Sequence, residues 1–229
     1  RKGWNKKAYI KAKELIESLK IDTLITSSPP HSTQLIGFKL KKECNIKWIC
    51  DLRDPWTDLF YNESLYQTSI AKRIDSNYEK SCLLAADQIV VVSDYIKSQI
   101  SRKYTTASSK IKVIPNGYDP EDFSDMKKVR SEKKHISYVG NLGENYPIKP
   151  FLKSFQKLNT LDDSWKLRFV GNVGEKTTNT IHELKLNDVV ELLPYQPHIE
   201  AVQTMLNSDF LLLIIPEIRE NKGILTGKL

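Results

Sequence analysis

Apolar positions in the first twenty residues return at helical spacing. Ala8, Ala12, Leu15 and Leu19 recur at intervals of four, three and four, which makes one stripe of an amphipathic helix over residues 4–19. Lys6, Lys13 and Lys20 lie off that stripe. The period then shortens to short β-rich runs that alternate with further helical stretches. Strands are predicted over 23–26, 46–50, 88–92 and 112–114. Helices are predicted from a Ser32 cap to about residue 42, over 70–86, and from a Ser93 cap over 94–103. The run 88–92 is β-branched from Ile89 to Val92, the pattern of a strand buried on both faces. Prolines and Pro115-Asn-Gly117 close the strands.

Residues 119–134 break this rhythm with a polar, Asp- and Lys-rich stretch. Beyond it the alternation restarts. Strands are predicted over 136–139, 166–170, 189–193 and 210–215, and helices over 149–158, 177–184 and 199–206. Strand–helix alternation on both sides of one linker implies two α/β, Rossmann-like domains with parallel sheets flanked by helices. The expected boundaries are 1–125 and 126–229.

Candidate chemistry is sought where each strand ends, because open parallel sheets bind ligands beyond their carboxyl edges. Asp51, Arg53 and Asp54, with Trp56, follow the second strand. They fit either a polar ligand site or an Asp–Arg ion pair that pins the loop. Asp-x-x-Asp alone is too few oxygens for a hard cation. Gly140-Asn-Leu-Gly143, with Lys149 at the next helix start, and Gly171-Asn-Val-Gly174 fit phosphate-approaching loops or plain tight turns. Neither is G-x-G-x-x-G. Tyr195 fits base stacking, and His198 fits a helix start. The loop after residue 215 gathers Glu217, Arg219, Glu220, Lys222, Gly223 and Lys228, and is the richest candidate.

Composition narrows the class. Of 229 residues, 40% are hydrophobic and 28% charged, which excludes a disordered chain. No apolar run nears the ~18 residues of a membrane span. Three cysteines without a Cys-x-x-Cys pair favour buried thiols in a reducing compartment over a disulfide or zinc framework. The net charge of +7 lies in the first fifty residues, which hold 11 basic and 4 acidic groups. That face is either a solvated helix surface or a contact for an anionic partner such as membrane lipid. Nucleic acid is not expected, since no aromatics interleave with the lysines.

Together Ser27-Ser-Pro-Pro30, Asp51-Leu-Arg-Asp-Pro-Trp56, Val91-Val-Ser93, Val113-Ile-Pro-Asn-Gly-Tyr-Asp119, Tyr138-Val-Gly140 and the run from Leu193 to Lys228 resemble the GT-B glycosyltransferases of the retaining family 4, in that family's order. The resemblance implies two facing Rossmann-like domains with the active site in the cleft. It implies sugar transfer from a nucleotide-sugar donor, with retention, to a cell-surface polysaccharide or lipid-linked acceptor, a hexosyltransferase type of chemistry. The cytoplasmic, membrane-peripheral inner face is the implied place. Gly140, Asn141, Lys149, Tyr195, Lys222, Gly223 and Lys228 are then donor-binding, and Asp51, Arg53 and Asp54 face the transferred sugar as catalytic candidates. Many family members carry Arg where Asn141 stands. No metal and no cofactor besides the nucleotide-sugar co-substrate is implied. The family's first Gly-rich loop would precede Arg1 and its ribose-binding Glu would follow Leu229. The chain is therefore expected to be incomplete at both termini and inactive alone. A sugar-nucleotide epimerase of the same architecture and a non-catalytic module for anionic ligands are the competing readings.

Overall fold

The computed structural model describes residues 2–58 and 68–215. The chain divides into two compact units between Asn116 and Gly117. The first runs α1 (Lys2–Leu19), β1 (Thr23–Ser28), α2 (Gln34–Cys44), β2 (Lys47–Leu52), α3 (Ser69–Ala85), β3 (Gln88–Val91), α4 (Asp94–Lys103) and β4 (Ile111–Val113). The second runs α5 (Glu121–Ser124), β5 (Lys134–Val139), α6 (Ile148–Leu161), β6 (Trp165–Val170), α7 (Glu175–Glu183), β7 (Val190–Leu193), α8 (His198–Leu206) and β8 (Phe210–Leu211). Among the described residues both sheets are four-stranded, and every strand pair is parallel.

The division falls ahead of the 125/126 boundary expected from composition. Residues 117–125 go with the second unit because α5 packs on α8, where His198 Nε2 lies 2.9 Å from Asp122 Oδ2. Lys128 further ties the stretch to Ser208 O and Asp209.

The first sheet has the order β1-β2-β3-β4. Three crossovers step the same way, and right-handed crossovers then place α2, α3 and α4 on one face. Trp48, Cys50, Leu52, Ile89 and Val91 fill that face and are fully buried. The outward face is more open. Val90 is only half-buried and Ile25 is 64% exposed, so the expected burial of strand 88–92 on both faces does not hold among the described residues. The stripe on α1 also shifts. Ile16, with Tyr9 and Ala12, packs toward α2, while Leu15 and Leu19 stay exposed.

Local signals locate most ends. Ser93 Oγ accepts from Ile96 N and caps α4 as expected. Ser32 does not cap α2. It sits inside a 3-10 turn, His31–Thr33, and its hydroxyl has no partner there. The last expected strand, 210–215, shrinks to Phe210–Leu211, and Phe210 is 61% exposed. It pairs with β5 on one side, and no described strand lies on its other side. All three cysteines are free. Cys50 and Cys82 are buried, with burial pushing the Cys82 thiol up to about 12, whereas Cys44 is only partly buried.

Gly37 in the middle of α2 lies directly over the fully buried Trp48. A Cβ there would meet indole atoms Nε1, Cε2 and Cζ2 of a ring with no room to retreat. Gly37→Ala should therefore cost about 1–3 kcal/mol by overpacking, more than the ~1 kcal/mol gained in helix propensity. Urea unfolding measures it. A midpoint at or above that of the parent protein would refute the packing argument.

Candidate functional site

The second sheet has the order β7-β6-β5-β8. The chain steps outward from β5 to β7, then returns to β5's other side. Its sense therefore reverses between β5 and β8, and that reversal is the topological switch point where open α/β sheets hold ligands. Crossover handedness puts α6 and α7 on one face and α8 on the other. Tyr138 accordingly packs with Leu167 and Phe169, while Ser137 meets Ser208, Oγ to Oγ at 2.7 Å.

Gly140 and Asn141 follow β5, at the switch point. Gly140 has φ 133° and donates to Val170 O at 2.8 Å. Gly171, after β6, has φ 118°, and a Cβ on it would lie 2.7 Å from the Gly140 carbonyl oxygen. Only glycine fits either backbone. The two strand-end loops then zip together. Leu142 N donates to Asn172 O, and Gly174 N to Leu142 O, both at 2.8 Å. The Asn141 side chain is exposed, and its Oδ1 accepts from Asn172 N at 3.4 Å.

The two helices after these loops differ. The amino end of α7 is occupied, because Glu144 Oε2 accepts from Lys176 N at 3.2 Å. A carboxylate seated there satisfies the helix end as a phosphate would. The Gly171–Gly174 loop is thus a turn with its anion built in. The amino end of α6 has no side-chain cap. Lys149 sits in its first turn, with Nζ 3.0 Å from Glu183 Oε2, both side chains exposed. Such a pair contributes about 0–1 kcal/mol, so its ammonium is released at little cost. Tyr195 follows β7 and is 78% exposed. Lys222, Gly223 and Lys228 lie outside the described residues, as do Glu217 and Glu220.

In the first unit, Asp51, Arg53 and Asp54 follow β2. The pinning Asp–Arg pair considered from the sequence is absent among the described residues. Arg53 Nη2 donates instead to Asn116 Oδ1 at 2.9 Å, and its backbone N–H to Ser28 O at 3.1 Å. Asp51 Oδ2 accepts from Ser27 Oγ at 2.6 Å. The loop is pinned from beneath by residues with no motif to mark them. Glu79 on α3 is 2% exposed, and it accepts from Thr57 Oγ1 at 2.8 Å, Thr57 N at 3.3 Å and Tyr104 OH at 2.8 Å. Lys103 Nζ lies 2.8 Å from it. Desolvation alone would lower the Lys103 ammonium, but the hydrogen bond and charge of Glu79 raise it. Burial and Glu79 push Tyr104 up to about 12, which keeps it a donor. Asp75, also on α3, accepts from Trp56 Nε1 at 3.0 Å. Gln34, fully buried at the start of α2, donates to Thr26 O, Ser28 Oγ and Asp51 O at 3.2, 3.0 and 2.9 Å. It binds the carboxyl ends of β1 and β2 together.

The model of glycosyltransferase family 4 matches residues 1–122, more than half of the chain. The chain belongs to glycosyltransferase family 4. A second model, of glycosyl transferases group 1, matches residues 119–225. No curated protein sequence matches the chain. Solved structures share the GT-B fold of this family 4 chain at low identity. Sucrose-phosphate synthase from Thermosynechococcus elongatus superposes with TM-score 0.65 at 14% identity, over 90% of this chain and 53% of that one. HepE from Anabaena, solved with UDP, gives 0.64 at 12%, over 89% and 55%. A UDP-N-acetylglucosamine 2-epimerase gives 0.54 at 12%, over 90% and 54%. The family 4 chain thus spans about half the length of these relatives.

Removing Glu79 would leave Lys103, Tyr104 and Thr57 without their shared acceptor. Glu79→Ala should cost about 3 kcal/mol, the lower end for breaking a buried pair, because Lys103 is partly exposed. Denaturant unfolding checks it, and a loss under ~1 kcal/mol would mean that the cluster does not hold the loop.

Proposed function

We propose that the protein transfers a sugar from a nucleotide-sugar donor to a polysaccharide or lipid-linked acceptor, with retention of anomeric configuration. The observation that carries this reading is the pair of family matches, which follow one another over both units. The switch-point geometry is consistent with it. In this reading the second unit holds the donor. Asn141 lies by the diphosphate, Lys149 exchanges Glu183 for a phosphate oxygen, and Tyr195 stacks on the base. Lys222, Gly223 and Lys228 complete that set. Asp51, Arg53 and Asp54 of the first unit belong beside the transferred sugar.

Catalysis then rests on holding the charge of the departing diphosphate and on positioning the acceptor. The sugar passes through an oxocarbenium-like state. The diphosphate oxygen takes the acceptor's proton, so this chemistry asks for no metal. The basic first fifty residues suit a peripheral contact with the anionic inner face of a cell membrane. No described helix is long and apolar enough to cross a membrane.

The epimerase neighbour makes a second reaction worth separating. Incubation of the complete protein with a sugar nucleotide and no acceptor would yield an epimer in that case, and no change of sugar configuration in ours. The primary test is thermal unfolding of the complete protein with UDP, GDP, ADP and TDP sugars. Binding to the folded state alone adds about 2.7 kcal/mol at a hundredfold excess over Kd. One nucleotide class should raise Tm and thereby name the donor. A well-folded protein that none of them stabilises would sink the proposal.

A further inference from the structure

His31 stands where β1 hands the chain to its strand-end loop, and none of the features discussed above uses it. Pro29 and Pro30 precede it, and Thr33 N donates to Pro30 O to close the turn. The half-buried imidazole stacks on Trp56 with centroids 5.4 Å apart and planes 26° from parallel. Its Nε2 lies 3.2 Å from the carbonyl oxygen of Asp54. A carbonyl only accepts, so Nε2 carries the hydrogen. In the neutral ring Nδ1 then keeps a bare lone pair. That nitrogen makes no hydrogen bond to any described residue, and neither does the Asp54 carboxylate. Both belong to loops at the carboxyl ends of neighbouring parallel strands, where Ser28 pairs with Leu52.

We propose that His31 Nδ1 accepts a hydrogen bond from a sugar hydroxyl, which makes His31 a carbohydrate-contacting residue of the first unit. The ring is fixed on two sides. Trp56, itself anchored to Asp75, sets its plane, and the Asp54 carbonyl sets its tautomer. A lone pair fixed in this way needs no reorganisation to meet a hydroxyl. The proposal rests on the glycosyl-transfer reading. The hydroxyl belongs to the donor sugar or to the acceptor glycan, and the two are separable by experiment.

Burial lowers the His31 pKa from its ordinary value. The Asp54 backbone hydrogen bond and the charges of Asp54, Asp75 and Glu79 oppose that shift without overcoming it. The neutral acceptor form therefore prevails at pH 7. As pH falls through the folded value, below about 6.5, Nδ1 gains a proton and becomes a donor. Activity should fall on that acid limb.

Two measurements on the complete protein test this. In a 15N-histidine NMR spectrum at pH 7, Nε2 of His31 should be protonated and Nδ1 bare. A protonated Nδ1 overturns the proposal whether or not the protein transfers sugar. The second measurement is the pH profile of kcat/KM for His31→Gln, whose amide N–H still reaches the Asp54 carbonyl while no acceptor remains at the Nδ1 position. At unchanged Tm it should lose about tenfold in kcat/KM and lose the acid limb. A raised KM for the nucleotide sugar assigns the hydroxyl to the donor, and a raised KM for the acceptor assigns it there. Wild-type kcat/KM with the acid limb intact in His31→Gln overturns the proposal and leaves the transferase reading standing. A wild-type protein that transfers no sugar from any of the four nucleotide classes overturns both.

Discussion

A carboxylate taken out of water must be met by donors, and Glu79 is met by four at once. The penalty for burying such a charge without partners is several kcal/mol, larger than most single contacts contribute. Glu79 therefore cannot stay inside α3's packing face unless Thr57, Tyr104 and Lys103 arrive together. Thr57 belongs to the strand-end loop, Lys103 to the end of α4, and Tyr104 to the residue after it. One buried charge thus fixes where β2's loop leaves the sheet, how α4 ends, and the setting in which Trp56, His31 and Asp54 are held. The apolar core beneath would tolerate a looser loop; the carboxylate does not.

Much of the architecture was legible in the sequence because its causes are local. Ser93 caps α4 through its own hydroxyl, and glycines stand where β5 and β6 end with positive φ. The alternation of strand and helix requires parallel sheets, and parallel sheets formed. Readings that depended on distant partners fared differently. Ser32 looks like a cap, yet it lies inside the 3-10 turn His31–Thr33 that precedes α2. The apolar run after Phe210 reads as a buried strand, but only two residues of it pair.

The site was half legible for the same reason. Asp51, Arg53 and Asp54 stand out as charges beside an apolar strand, and the sequence leaves open whether they pair with each other. Asp51 turns out to be met by Ser27 and Arg53 by Asn116, 24 and 63 residues away. Glu79 and Gln34 sit in ordinary helical text, and nothing in their neighbours marks them as buried. A charged or amide residue at a position where α2 or α3 must face the sheet was the available signal. It becomes visible only once the helix phase is known.

Glu144 has a consequence for how this edge of the second sheet treats anions. Its carboxylate already rests on the amino end of α7, so two neighbouring helices of similar polarity are not equivalent docking places. A phosphate brought to this edge would be repelled from the first and would meet no side-chain cap at the second. Selectivity at such an edge comes as much from a place denied as from a place offered. In the proposed donor-binding reading, a fixed negative charge next door would set the register of the nucleotide along the strand ends without touching it.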